Sequence, residues 1–335
     1  MDNNLPAASP GRKYRFRRQC MKVKFYGTRG SIAISNRESI KYGGNTTCIR
    51  IYSECLPKDL VMGIDGGTGF VPMSYDILRE GVVKEVVLMF THYHHDHILG
   101  LFLSPITFMK NIKLKLFGPV DGNIGVKKMM EDFMRPPYFP VHYKEVNSHI
   151  TCMNLEFPRT LVILFHPHGY KIMNIDDFER ITGSNGFIPI GKGKYPVEEF
   201  LVVTMYKSRH PEQTVSYRFE EKSTGKKFVF LTDHENEDGI PNSFKAHVEG
   251  VHLLVMDSQY SREKYDKMTA GYGHGTPDYC VRVAETLNVK KLGLTHHDPS
   301  SRDKDIEAIL EEAKRASTKN DIQIFACADY EEVEV

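Results

Sequence analysis

Thr91-His92-Tyr93-His94-His95-Asp96-His97 is the stretch whose reading decides this chain. His92, His94, Asp96 and His97 fit the pattern His-x-His-x-Asp-His. The stretch follows Val86-Val87-Leu88-Met89-Phe90, a short apolar run that reads as a buried strand. The cluster therefore sits where a strand ends and a loop begins, an edge that projects several side chains towards one point. Neutral imidazole and carboxylate suit Zn, Mn or Fe. Four such donors this close in sequence crowd a single tetrahedral ion, so a pair of ions is the more natural arrangement. A lone histidine is more often a satisfied polar residue. Four donors packed this tightly would be costly to bury unpaired.

Two ions need more donors than one loop supplies, and later segments offer them in the same grammar. Leu201-Val202-Val203-Thr204-Met205-Tyr206 leads to His210, Phe228-Val229-Phe230-Leu231-Thr232 to Asp233, and Leu292-Gly293-Leu294-Thr295 to His296. Earlier, Leu60-Val61-Met62-Gly63-Ile64 leads to Asp65 and then Gly66-Gly67-Thr68-Gly69.

Taken together, these residues resemble a metallo-β-lactamase-fold hydrolase of the phosphodiesterase branch. The resemblance spans about residues 21 to 335. Gly27-Thr28-Arg29-Gly30-Ser31, Tyr42-Gly43-Gly44-Asn45-Thr46-Thr47, Pro137-Tyr138-Phe139-Pro140-Val141 and Thr295-His296-His297-Asp298-Pro299 add local matches to that branch. It implies that His92, His94 and His210 hold one ion, that Asp96, His97 and His296 hold the other, and that Asp233 bridges them. Asp65 would orient a ligand from behind, which matters for affinity. Two divalent metals, zinc first and Mn or Fe as alternatives, would lower the pKa of a shared water and let hydroxide attack phosphorus in line. His95 and His297 fall off the pattern and read as non-ligands, because neighbouring strand-end residues point oppositely. His234 is expected to face substrate or solvent.

A leaving alkoxide needs a proton, and the resemblance assigns that task to His274, in Gly271-Tyr272-Gly273-His274-Gly275-Thr276-Pro277-Asp278. Thr276 reads as an N-cap and Pro277 as a first helical residue, so His274 precedes a helix start that favours anions. His274, Asp96 and Asp233 form the expected catalytic set, with Ser31, Tyr138 and Lys192 as substrate contacts. No Gly-x-Ser-x-Gly turn suggests a protein nucleophile.

Strand-like and helix-like segments alternate through 335 residues without a linker, which favours one α/β domain: an αββα sandwich, two facing mixed sheets with helices outside. Residues 1–20 read as a flexible extension with a basic cluster, Arg12, Lys13, Arg15, Arg17 and Arg18, ahead of a hydrolase domain at 21–335. Helices are expected over about 70–80 and 303–316. Residues 165–200, rich in Gly, Pro, Asn and Lys, read as a loop or lid over the pocket, with Lys192 and Lys194 as anion contacts.

The net charge of +1 advertises no polyanionic partner, and no apolar run approaches a membrane span. Cys20, Cys48, Cys55, Cys152, Cys280 and Cys327 form no Cys-x-x-Cys pair. With no secretory apolar region near the start, they suggest a reducing, cytoplasmic setting.

Three phosphodiesters compete as substrate: a 3′,5′-cyclic nucleotide, a tRNA 3′ end as in ribonuclease Z, and a ribosyl 1,2-cyclic phosphate. The long tRNA-binding arm of ribonuclease Z is inserted between the positions matched by His210 and Asp233, and only 22 residues, 211 to 232, separate them here. The clustered cysteine ligands of the phosphonate enzymes are missing. Elimination puts the cyclic nucleotide first, with nucleic acid an unlikely partner. A thioester or β-lactam hydrolase on the same scaffold stays open. The resemblance also implies a homodimer.

Overall fold

Apolar strands buried on both faces build the molecule. In Glu85–Met89, Val87 and Met89 join one core cluster while Val86 and Leu88 join another. In Lys226–Leu231, Phe228 and Phe230 face the first cluster and Val229 and Leu231 a third. Successive side chains point to opposite faces, so a strand covered on both sides reads as a continuous apolar run.

A computed structural model describes residues 21–156, 161–184, 186–319 and 321–335. The extension expected at 1–20 lies outside the described residues. Among the described residues the chain forms β1 (Lys22–Gly27), β2 (Cys48–Tyr52), β3 (Leu60–Ile64), β4 (Glu85–Met89), β5 (Lys113–Pro119), β6 (Ile150–Leu155), β7 (Leu161–His166), β8 (Gly169–Asn174), β9 (Phe187–Ile190) and β10 (Gly193–Pro196). There follow β11 (Leu201–Lys207), β12 (Val215–Glu221), β13 (Lys226–Leu231), β14 (Leu253–Asp257), β15 (Lys291–Thr295), β16 (Gln323–Ala326) and β17 (Glu332–Glu334). One sheet runs β17-β1-β2-β3-β4-β5-β6 and the other β16-β15-β14-β13-β12-β11-β7-β8, with β9 and β10 as a separate hairpin. The helices are α1 (Phe70–Glu80), α2 (His95–Leu103), α3 (Val126–Phe133), α4 (Tyr143–Val146), α5 (Ile175–Gly183), α6 (Asn242–Val248), α7 (Arg262–Lys264), α8 (Pro277–Thr286) and α9 (Asp303–Ala316).

Phe25, Ile49, Met62 and Val87 meet Val203, Tyr217, Phe219 and Val255 between the sheets. Residues of α1, α2 and α3 cover the outer face of the first sheet, and residues of α6, α8 and α9 that of the second. This is the expected αββα sandwich. Strands β3 to β6 are parallel, as are β13 to β16. β11 runs the same way as β13, because each is antiparallel to β12. Asp65, the 91–97 stretch, His210, Asp233, Asp257 and His296 thus all lie at or just beyond carboxyl ends of strands, where α/β sheets gather ligands. The sheets are tied at that edge by Tyr217 Oη–H donating to Phe90 O (2.6 Å) and Val215 N–H to Thr91 O (2.9 Å). No helix among the described residues is long and apolar enough to cross a membrane.

Residues 165–200 depart from expectation. They are not a loop but hold β8, α5 and the β9–β10 hairpin. Ile188 and Ile190 alternate inward and join Val162, Leu164, Phe200 and Val202, covering an otherwise bare outer face of β7 and β11. Nor do they form a lid. A Cβ on Gly169 would lie 3.2 Å from Ile190, and Gly169 pairs with His166 beside the start of β11. Lys192 follows Ile190 in the β9–β10 turn. His210 lies beyond the other end of β11, a strand spanning roughly 20 Å. Lys192 is therefore remote from the histidine cluster and is not a substrate contact.

Candidate metal centre

His92, His94, His210 and Asp233 bring one ligand atom each within 4.8 Å of one another, and so do Asp96, His97 and His296. Asp233 Oδ1 lies 3.7 Å from His92 Nε2, while its Oδ2 lies 3.3 Å from His97 Nε2 and 3.5 Å from His296 Nε2. One carboxylate therefore faces both groups, an oxygen to each. Asp96 Oδ2 closes the second group at 3.3 Å from His97 Nε2 and 3.2 Å from His296 Nε2. His92, His97 and His210 each bury an Nε2 that has no hydrogen-bond partner. Buried polar atoms left unpaired are expensive. Imidazole and carboxylate donors aimed at a common point fit a pair of divalent cations.

The far sides of the His97, His210 and His296 rings are held. Asp65 Oδ2 accepts from His97 Nδ1–H at 2.8 Å and from Thr91 Oγ1–H at 2.8 Å, and Asp65 Oδ1 accepts from Thr91 N–H at 2.7 Å. Gly273 O accepts from His210 Nδ1–H at 3.1 Å, and Gln259 Oε1 from His296 Nδ1–H at 2.8 Å. Such partners fix ring orientation and raise ligand basicity. Asp65, Asp233 and His296 take φ values of 57°, 51° and 61°, a left-handed conformation uncommon outside glycine and concentrated at functional sites.

Helix α2 carries Asp96 and His97 on its first turn and is seated by close backbone approach. Gly66 N–H donates to His97 O at 2.6 Å, and Leu101 N–H to Gly66 O at 3.0 Å. A Cβ on Gly100 would lie 1.9 Å from Gly67 O.

Burial pushes imidazoles down, and it prevails at His92, helped by His97, and at His94. At His97 burial is outweighed by the Asp96, Asp233 and Asp65 carboxylates, which hold it well above the usual range. At His296 burial loses to Asp233 and Asp96, and the pKa rises to about 9. Burial would raise Asp96 and Asp233, but the surrounding histidines hold both well below the usual carboxylate range. At Asp65 burial prevails over His97 and raises it. The two Thr91 donors require Asp65 to accept, so the hydrogen of the Asp65–His97 bond lies on His97 Nδ1.

His274 stands beside the second group, just ahead of α8, as expected. Its ring stacks on His296 with centroids 4.9 Å apart, and Asp257 Oδ2 accepts from its Nδ1–H at 2.8 Å. Glu235, buried, accepts from Gly273 N–H at 2.5 Å and from the Tyr265 hydroxyl. One carboxylate thus holds the glycine whose carbonyl orients His210 and which precedes His274.

The other expected residues divide. Ser31 lies at the centre, where its N–H donates to Asp96 Oδ2 at 2.7 Å and its Oγ lies 3.4 Å from Gln259 Nε2. Tyr138 is 76% exposed, under Arg135 rather than beside the cluster, and Phe139 packs into the core against Phe102 and Phe108. His95 packs on Phe133, and His297 Nε2 bonds Cys327 O at 2.8 Å, so both fall outside the ligand groups. His234 faces neither substrate nor solvent: it is fully buried between Ser208 and Tyr279, and burial lowers its pKa to about 3. Asp257, Gln259, Glu235 and Glu212 were not singled out as site residues from sequence. Glu212 Oε2 lies 3.3 Å from both His94 Nε2 and His210 Nε2. Asp257 alone carried a signal, an apolar strand ending in aspartate as at Asp65 and Asp233.

Residues 64–297 match the family model described as beta-lactamase superfamily domain. The chain is 27% identical over 251 residues to ribonuclease Z of Oceanobacillus iheyensis, covering 69% of this chain and 77% of that protein. Its fold is similar to human tRNase Z, short form, with a TM-score of 0.55 at 16% identity over 93% of this chain and 98% of that one. It is also similar to yeast PDE1, with a TM-score of 0.58 at 12% identity over 94% and 99%. The ribonuclease Z relative overturns the expectation that nucleic acid is an unlikely partner. That expectation rested on global charge and a missing arm, and neither describes the site itself.

Proposed function

The chain belongs to the β-lactamase superfamily, and on that premise we propose that it is a metal-dependent phosphodiesterase acting on RNA. The observation that carries the reading is Asp233, whose two oxygens face two separate ligand groups. His92, His94 and His210 would hold one cation and Asp96, His97 and His296 the other, with Asp233 between them. Bound divalent cations supply a water of lowered pKa and neutralise charge on the phosphate oxygens. Asp65, Gln259 and the Gly273 carbonyl fix the rings of His97, His296 and His210. Asp257 keeps the His274 proton on Nδ1, so Nε2 is the nitrogen that hands a second proton to the leaving oxygen. Zinc is the expected metal from this donor set, and a homodimer the expected assembly. Metal analysis tests the first and gel filtration the second, which a strict monomer contradicts.

RNA is put first because of the ribonuclease Z relative. A second reading, a small cyclic phosphodiester, is favoured by the short connection between β12 and β13, residues 222–225, where no arm is inserted. A panel of pre-tRNA, single-stranded oligoribonucleotides, 3′,5′- and 2′,3′-cyclic mononucleotides and bis-p-nitrophenyl phosphate, with Zn²⁺ or Mn²⁺, tests both. RNA cleavage is expected. Turnover of cyclic mononucleotides alone would move the second reading ahead, and silence on every diester would overturn phosphodiesterase activity.

A further inference from the structure

A cavity of about 230 Å³ opens beside His92 and His94. At its inner end His92 is 1% exposed and its Nε2 has no hydrogen-bond partner. Tyr93 and Phe133 contribute aromatic walls. The Tyr93 hydroxyl is already spent on Pro119 O at 2.5 Å, so the ring is what the cavity meets. Phe133 is held by stacking on Phe102 with centroids 5.4 Å apart. The remaining charged lining is acidic: Asp121, Asp132 and Glu212, with no lysine or arginine among the described residues.

Aromatic walls suit a flat ring, which stacks without regard to sequence. The carboxylates decide which ring. They repel a second phosphate, so the group that enters is a base rather than more backbone. Ionised carboxylates only accept hydrogen bonds, and each can take two parallel N–H donors. Guanine carries adjacent ring N–H and amino donors on one edge. Hypoxanthine lacks the amino group, and uracil flanks its single N–H with two carbonyls that a carboxylate repels. Lys128 pairs with Asp132 Oδ1 at 2.5 Å, which leaves Oδ2 as the free acceptor.

We infer that this cavity is a nucleobase subsite that selects guanine next to the scissile phosphate, with Asp132 and Asp121 reading its donor edge and Phe133 and Tyr93 stacking its faces. The inference rests on the phosphodiesterase reading and goes beyond it by naming a base.

The test uses the metal-loaded full chain and the 5′-p-nitrophenyl phosphodiesters of guanosine, inosine and uridine, with bis-p-nitrophenyl phosphate as a base-free diester. The expected kcat/KM for guanosine exceeds that for uridine by about tenfold or more, with inosine between, as suits a hydrogen bond to a charged acceptor. Asp132→Asn, and independently Asp121→Asn, should narrow the guanosine-to-inosine ratio at least threefold, with melting temperature reporting that each variant folds. Equal rates on the three nucleosides, with the base-free diester hydrolysed, would overturn the subsite and leave the phosphodiesterase reading standing. A guanosine preference untouched in both variants would also overturn it. No hydrolysis of any diester would overturn the phosphodiesterase reading and the subsite with it.

Discussion

Asp233 and Asp257 are both carboxylates that end parallel strands, yet they are assigned different work. Asp233 touches four imidazoles or their near neighbours, while Asp257 bonds His274 at 2.8 Å. Asp233→Ala is expected to lower bound metal from two equivalents to one or none, read by elemental analysis. Asp257→Asn should keep both equivalents but lose roughly 10²–10⁴ in turnover, the usual worth of a positioned acid–base group. If Asp257→Asn lost the metal instead, Asp257 would be a ligand and the division of roles would be wrong. Asp65→Asn weakens the acceptor behind His97, and a loss of about 10–100-fold in metal affinity is expected, measured by chelator competition. The seven proposed ligands were legible in sequence through the family resemblance: four lie in the stretch after β4, and His210, Asp233 and His296 each follow a later apolar run. The Asp257–His274 pair was not, because nothing along the chain links residues 257 and 274 until β14 and the loop before α8 meet in space.

At the scale of elements, α2 is the piece whose seating matters most, since it carries Asp96 and His97. Gly100→Ala would drive a Cβ to within 1.9 Å of Gly67 O, so the helix must move and take both side chains with it. Metal affinity and melting temperature should fall together. Gly183→Ala, at the end of α5 with open space around the new Cβ, should change neither by much. The loop 271–275 depends on Glu235, and Glu235→Gln should lower turnover more than it lowers stability, measured as kcat against the urea midpoint. Helices were expected at about 70–80 and at 303–316, the second from the helical spacing of Ile309, Leu310 and Ala313, and they form with those bounds. The segment 165–200 was not legible. Gly169, Pro189, Gly193 and Pro196 lie within short strands rather than in loops, and the apolar pair Ile188 and Ile190 that seats β9 is too brief to announce a strand by itself.

For the whole molecule, two sheets must close on each other before the proposed ligands meet, because His92, His94, Asp96 and His97 come from the first sheet's edge and His210, Asp233 and His296 from the second's. Metal should therefore stabilise the fold, by about 2.7 kcal/mol at a hundred times its Kd, and chelation should lower the melting temperature accordingly. Buried neutral histidines set the acid limit. His247, against Ser216 at 2.9 Å, is lowered by burial to about 3, and His297 to about 4. Both values lie below the unfolded value of about 6.5, so the unfolded chain takes up protons that the folded chain refuses. The stability they contribute is complete above pH ~6.5 and is lost as pH falls towards those folded values. In His247→Gln the slope of stability against pH between about 6 and 4 should be shallower by about 1.4 kcal/mol per unit, from urea midpoints, and an unchanged slope would contradict the assignment. The central claim, that seven side chains hold two cations, is tested most directly by anomalous diffraction at the zinc edge from crystals of the zinc-loaded protein. Two peaks are expected, one about 2.0–2.2 Å from donor atoms of His92, His94 and His210 and the other from those of Asp96, His97 and His296, with Asp233 reaching both. A single peak, or none within reach of His210 or His296, would contradict it.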